Sequence, residues 1–219
     1  MDQTISAIHL NQKAEIYLVQ GKLEAATTAC HQVLEIEPNF PSTCKTLGNI
    51  WQRIGEIDKA KEWYIKAINQ QPNLAEAHAN LGSIYAQQKQ WHLAIECYRE
   101  AIGIKPNIPG FYRNLGKIWQ ELEKWDDAVK AYCHAIELKP NLYLPYKNLG
   151  DALIQLSKYS EAIIVYRQAI EIEPNIDVTY YNLGNALVKL ERYSEAVVAY
   201  RQATKINPNS SLSYNQILA

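Results

Sequence analysis

PNLYLPYKNLGDALIQLSKYSEAIIVYRQAIEIEPN, residues 140–175, is the stretch that decides the fold. It opens on Pro140-Asn141 and closes on Pro174-Asn175. The same dipeptide stands at Pro38-Asn39, Pro72-Asn73, Pro106-Asn107 and Pro208-Asn209. Six copies at a spacing of 34 residues make the chain a linear array of one supersecondary unit, and that period belongs to helix–turn–helix repeats. An array of this kind offers partners a long surface, in place of a single catalytic cleft.

The repeats fall at 7–40, 41–74, 75–108, 109–142, 143–176 and 177–210, and a shorter tail, 211–219, begins another. Numbering the places within each repeat exposes one skeleton. Leu-Gly occupies places seven and eight at Leu47-Gly48, Leu81-Gly82, Leu115-Gly116, Leu149-Gly150 and Leu183-Gly184. Place eleven is large and apolar: Tyr17, Trp51, Tyr85, Trp119, Leu153 and Leu187. Place twenty is always Ala. Place twenty-four is Tyr64, Tyr98, Tyr132, Tyr166 and Tyr200, with Cys30 in the first repeat. Place twenty-seven is Ala in five repeats and Val33 in the first.

Places four, seven and eleven share one helical face, and so do twenty, twenty-four and twenty-seven. Each repeat therefore holds two amphipathic helices, A and B. Gly at place eight and Ala at place twenty let the helices approach, and the large residues at eleven and twenty-four fill the space beside that contact. Pro at place thirty-two stops helix B, because it lacks an amide donor and clashes with the preceding turn. Asp58, Asp126, Ser160 and Ser194 are expected as N-caps of helix B.

The pattern resembles the tetratricopeptide repeat family over nearly the whole chain, with repeat arrays similar in style to those of O-GlcNAc transferase-like proteins. The resemblance implies an all-α fold, a right-handed α-solenoid of antiparallel helix pairs forming one array over residues 1–219. Two departures are local. The first repeat has Lys13-Ala14 in place of Leu-Gly, which suits an end repeat. Gly103 lies inside helix B of the third and should weaken it by about 0.5–1 kcal/mol relative to Ala.

Composition narrows the function. No apolar run approaches the roughly 20 residues that span a bilayer, and the start Met1-Asp2-Gln3-Thr4 does not read as a secretory signal. A net charge of −1 argues against nucleic acid and against a membrane surface as partner. Cys30, Cys44, Cys97 and Cys133 show no C-x-x-C and are expected as packed free thiols. A cytoplasmic protein is the expectation. No catalytic or metal motif is present, and His9, His31, His78, His92 and His134 are dispersed. His78, at place four where later repeats have Tyr112, Tyr146 and Tyr180, reads as core packing. Trp91, Trp125, Tyr159 and Tyr193, all at place seventeen, should cover the turn between the helices. No cofactor and no enzymatic activity are expected.

The resemblance places helix A on the concave side, so its places outside the skeleton are the candidates for binding. Place six carries Asn80, Asn114, Asn148 and Asn182 in four successive repeats. An amide offers both donor and acceptor, and helical propensity does not favour Asn. Such a row is able to hold the backbone of an extended peptide, and it is similar to the asparagine ladder of O-GlcNAc transferases. The alternative is that each Asn bonds to a neighbouring repeat. The same faces carry Lys45, Arg53, Arg113, Lys117, Lys147 and Lys189 against Glu15, Glu76, Glu121 and Asp151. Lys45, Asn49 and Asn80 match the first part of the carboxylate clamp of chaperone-binding relatives. The next repeat offers Gly110 and Asn114 where basic residues belong, with Arg113 and Lys117 out of register.

The expected function is a non-catalytic scaffold that binds a protein or peptide segment in the concave groove. The alternative is the substrate-recruiting segment of a larger transferase, resembling a protein O-glycosyltransferase. Whether the reading frame continues past Ala219 would separate the two. Self-association through the terminal repeats is a third possibility. Towards the C-terminus the skeleton turns polar at Thr204 and Ser210, and residues 211–219, with Tyr214 and Ile217 in skeleton places, are expected to begin a capping helix.

Overall fold

The computed structural model describes residues 2–208. The described residues form α-helices joined by short connections, in two compact units, the first running to Pro106 and the second starting at Asn107. The first unit contains α1 (Asp2–Val19), α2 (Leu23–Ile36), α3 (Pro41–Ile54), α4 (Ile57–Gln70), α5 (Ala75–Gln87) and α6 (Trp91–Ile104). The second contains α7 (Pro109–Glu121), α8 (Trp125–Leu138), α9 (Tyr143–Gln155), α10 (Tyr159–Ile172), α11 (Asp177–Lys189) and α12 (Tyr193–Ile206). Odd helices are the A helices and even ones the B helices. Each A packs on its own B, and within a unit each B packs on the next A. The expected capping helix at 211–219 lies outside the described residues.

Local chemistry sets the boundaries. Pro41 and Pro109 begin α3 and α7, where a fixed φ suits the first turn and no amide donor is needed. The B helices end two residues before the recurrent Pro. The A-to-B turn is built at place fifteen, which adopts the left-handed conformation in every repeat. Gly21 and Gly55 do so at φ 77° and 97°, and Lys89, Glu123, Ser157 and Glu191 at φ 56–58°. The following amide then bonds back to the place-eleven carbonyl, for example Lys158 N–H to Leu153 O at 2.9 Å. This is the six-to-one bond of a Schellman closure, and it satisfies a carbonyl that the helix end would leave orphaned.

One expectation is corrected here. Asp58, Asp126, Ser160 and Ser194 are not N-caps. The caps are Glu56, Lys124, Lys158 and Arg192, none with a side-chain capping bond. The tight turn brings the chain into helix B two residues earlier than the short polar residues imply. Asp58 and Asp126 therefore sit in the first turn, where their charge suits the positive end of the helix dipole.

The packing turns on place eight. A Cβ on Gly150 would lie 2.5 Å from the Tyr166 ring, and one on Gly116 2.6 Å from the Tyr132 ring. Gly48 and Gly184 meet Tyr64 and Tyr200 in the same way. The glycine is thus the bed on which the place-twenty-four ring lies, and these rings are buried. In the second unit Tyr132, Tyr166 and Tyr200 join Leu149, Leu153, Leu183 and Leu187 in one core. In the first unit Trp51 and Trp63 pack between successive repeats beside Leu47 and Ile50. All four cysteines are free thiols. Burial pushes the Cys30 thiol up to about 12 and the Cys97 thiol to about 11, so neither supplies a thiolate nucleophile near neutral pH. His78, expected in the core, is only half-buried, and its Nε2 lies 2.8 Å from the Pro72 carbonyl.

Candidate functional site

Place nine of helix A organises the polar face, and Asp151 on α9 shows how. Its Oδ1 accepts the Tyr166 hydroxyl at 2.7 Å and the Asn182 amide at 3.0 Å, while Oδ2 takes Lys147 Nζ at 2.6 Å. Tyr166 belongs to the same repeat and Asn182 to the next. One carboxylate therefore ties the buried ring of one repeat to the A helix of its neighbour. In the first unit Asn49 does the same work, accepting the Tyr64 hydroxyl at 2.7 Å and the Asn80 amide at 2.8 Å. Asn185 accepts the Tyr200 hydroxyl at 2.7 Å. At the first junction Glu15 receives Lys45 Nζ at 3.1 Å and the Thr46 hydroxyl at 3.4 Å.

Place nine is Ser83 in the third repeat, and the fourth repeat departs furthest from this rule. Its place nine is Lys117, an exposed cation with no acceptor to offer. The Tyr132 hydroxyl turns instead to Gln120 Oε1 at 3.0 Å. Beside it, the Arg113 guanidinium donates to Asn114 Oδ1 at 3.1 and 3.3 Å. Asn148 of the next repeat is buried. Further along the same unit, Asp151, Ile154, Gln155, Tyr166, Asn182 and Asn185 line an open cleft of about 230 Å³. That is below the range of a drug-sized or cofactor pocket and suits a single side chain or a bend of backbone.

The residues singled out in the sequence thus divide. Asn80 and Asn182 are half-buried, and each binds the neighbouring repeat through an amide N–H. Lys45 and Lys147 are ion-paired with Glu15 and Asp151. Asn49, expected as a clamp residue, receives two donors from its own molecule. Arg113, Asn114 and Lys117 come together on α7. Sequence reasoning noted Asp151 only as a groove charge and passed over Asn185. The available signal was an Asn or Asp at place nine in repeats that also carry Tyr at place twenty-four.

Burial also perturbs the place-twenty-four hydroxyls. Desolvation pushes the phenols of Tyr64, Tyr132 and Tyr166 upward, Tyr166 further so because the Asp151 carboxylate opposes a second negative charge. Tyr200 is pushed from 10.0 to about 12, first by burial and then by Tyr181. A phenol whose folded pKa is raised favours the folded state below the unfolded value, and that advantage is lost as pH rises through the folded value. Stability should therefore hold up to about pH 10 and fall between pH 10 and 12. Urea midpoints across that range would check it, and a flat profile would contradict the burial of these hydroxyls.

Among the described residues no group of three or more His, Cys, Asp and Glu is placed to hold a metal ion, and no helix is long and apolar enough to cross a membrane.

Comparison with known proteins agrees with the helix pairs and their skeleton. The TPR repeat model matches residues 48–89 and 150–191, and the Tetratricopeptide repeat model matches 75–108 and 178–210. No curated protein matches the sequence. Among solved structures, Pseudomonas aeruginosa PilF superposes with a TM-score of 0.87 at 21% identity, covering 100% of this chain and 99% of its own. YrrB, described as a TPR protein with an unusual peptide-binding site, superposes at 0.76 with 20% identity over 87% of this chain and 98% of its own. MamA does so at 0.71 with 24% identity over 75% and 96%. Repeat period, glycine bed, buried tyrosine and family models all agree: the chain belongs to the tetratricopeptide repeat family.

Proposed function

We propose that this chain is a non-catalytic protein-interaction module that takes an extended segment of a protein partner along its helix-A faces. In the second unit, the segment sets an acidic side chain over Arg113 and Lys117. The observation that carries this reading is the substitution at place nine. Glu15, Asn49, Asp151 and Asn185 all serve their own molecule there, whereas Lys117 projects a charge that the repeat-to-repeat bonding does not use. Lys45 and Lys147 already have internal carboxylates, whereas Arg113 and Lys117 stand one helical turn apart on α7. Asn114 and Lys147 would meet the backbone on either side of the acidic residue, with the cleft beside Asp151 and Asn182 taking a following side chain. In the first unit, Lys45, Asn49 and Asn80 form the corresponding polar row. The peptide-binding site in the description of YrrB, a protein of similar fold, supports the class of partner.

The test is selection of displayed random peptides on the chain, repeated with Arg113→Glu/Lys117→Glu. Replacing the Asn row is a poorer test, because Asn80 and Asn182 also tie repeats together. Enriched peptides should carry Asp or Glu, bind more weakly as salt rises, and lose roughly tenfold or more in affinity for the variant. Peptides without acidic bias that bind both proteins equally would refute the assignment.

A further inference from the structure

The first helix carries a second apolar stripe, on the side opposite its packing face. Ala7, Ala14 and Leu18 turn α1 toward its own repeat and the next. On the other side Ile5, Ile8, Ile16 and Val19 are 49%, 42%, 55% and 81% exposed, with Gln12, also exposed, in their midst. At about 100° per residue these five side chains fall within an arc of about 80°. Single exposed aliphatics need no explanation, but four in one narrow line do.

Two observations bear on what could cover this stripe. The first concerns a preceding repeat, the cover that α3, α5, α9 and α11 have within their units. Place ten is buried in these four, with Ile50, Ile84, Ala152 and Ala186 at 0% exposed. That cover also buries place three (Thr43, Ala77, Pro145, Thr179). In the first repeat places three and seven are His9 and Lys13, both exposed, and covering them would leave an imidazole and an ammonium without water. The stripe therefore does not match a repeat-to-repeat face. The second observation is its symmetry. It reads the same in both directions about Gln12: Ile8 and Ile16 lie four residues either side, and Ile5 and Val19 seven. A two-fold interface needs a patch complementary to itself, and an antiparallel pair of helices needs a seam that is unchanged on reversal.

We infer that α1 pairs with α1 of a second copy of this chain, antiparallel about a two-fold axis through Gln12. Ile8 then faces Ile16 of the second copy, Ile5 faces its Val19, and the two Gln12 amides meet at the axis. An amide is both donor and acceptor, so two of them satisfy each other, and a single polar position in an apolar seam fixes the register. One helix from each copy makes a contact at the small end of specific interfaces, so the dimer is reversible.

Sedimentation velocity of the whole chain from about 1 to 100 μM should show a concentration-dependent dimer. Ile8→Glu/Ile16→Glu should weaken it roughly 100-fold or more while leaving the helical circular dichroism unchanged, since both side chains are exposed. The orientation is read by oxidation against the wild-type background. Gln12→Cys should link two copies, Ile5→Cys alone should not, and Ile5→Cys/Val19→Cys should. A chain that stays monomeric throughout, or a dimer that survives the double Glu variant, overturns the pairing. Linkage by Ile5→Cys alone overturns the antiparallel arrangement.

Discussion

Tyr166→Ala is expected to destabilise the second unit by about 3–5 kcal/mol, the largest effect of any single substitution considered for this protein. The ring is 1% exposed, lies on Gly150, and belongs to a core shared with Leu149, Leu153, Leu183 and Leu187. Because the backbone of two helices surrounds the site, collapse into the vacated volume is limited and a cavity remains. The hydroxyl adds a separate loss. Tyr166→Phe keeps the ring and removes only the 2.7 Å bond to Asp151, at an expected cost of about 1.5 kcal/mol, the low end for a bond to a charged group because Asp151 also has Lys147 and Asn182. Urea unfolding of the three proteins separates the two contributions. A Tyr166→Ala loss below about 1 kcal/mol would mean that the ring does not seal the repeat.

Gly150→Ala should cost about 1–3 kcal/mol, even though alanine is the better helix former. The added methyl would sit 2.5 Å from the Tyr166 ring, a rigid group held by packing and by Asp151, so the helix pair must separate. Two comparison glycines make the prediction sharp. At Gly82 a Cβ would lie 3.1 Å from Cys97 and 3.2 Å from the Tyr98 ring, and a small adjustment accommodates it. At Gly103 nothing lies within 4 Å, so Gly103→Ala should stabilise by about 0.5–1 kcal/mol, as a helix-interior substitution without a clash does. The expected order of thermal midpoints is Gly103→Ala highest, Gly82→Ala near wild type, and Gly150→Ala lowest. Equal midpoints for the last two would show that close helix contact does not set the preference for glycine at place eight.

Much of this architecture is legible without coordinates, and the exceptions are instructive. The place-twenty-four tyrosines, the glycines beneath them and the helix-stopping prolines declare themselves by recurrence, since each repeat poses the same packing problem and solves it with the same residue type. The starts of the B helices are misplaced by two residues because the chain enters them through a left-handed residue at place fifteen. Lys89, Glu123, Ser157 and Glu191 hold that conformation, and none advertises it as glycine would. Asn80 and Asn182 look alike whether they face a ligand or a neighbour. The acceptors they use, Asn49 and Asp151, are 31 residues back in the chain.

The helix pairs, their period and the residues that seal each repeat can be read from the amino-acid order, because burial at helical spacing leaves a pattern that local chemistry can read. Which polar groups hold the repeats together and which stay available depends on the packed fold. Lys147 is neutralised by Asp151 while Lys117 is left facing solvent, and Ile16 is open where Ile50 is covered. These differences arise from stacking one repeat on the next, which gives chemically similar side chains different neighbours.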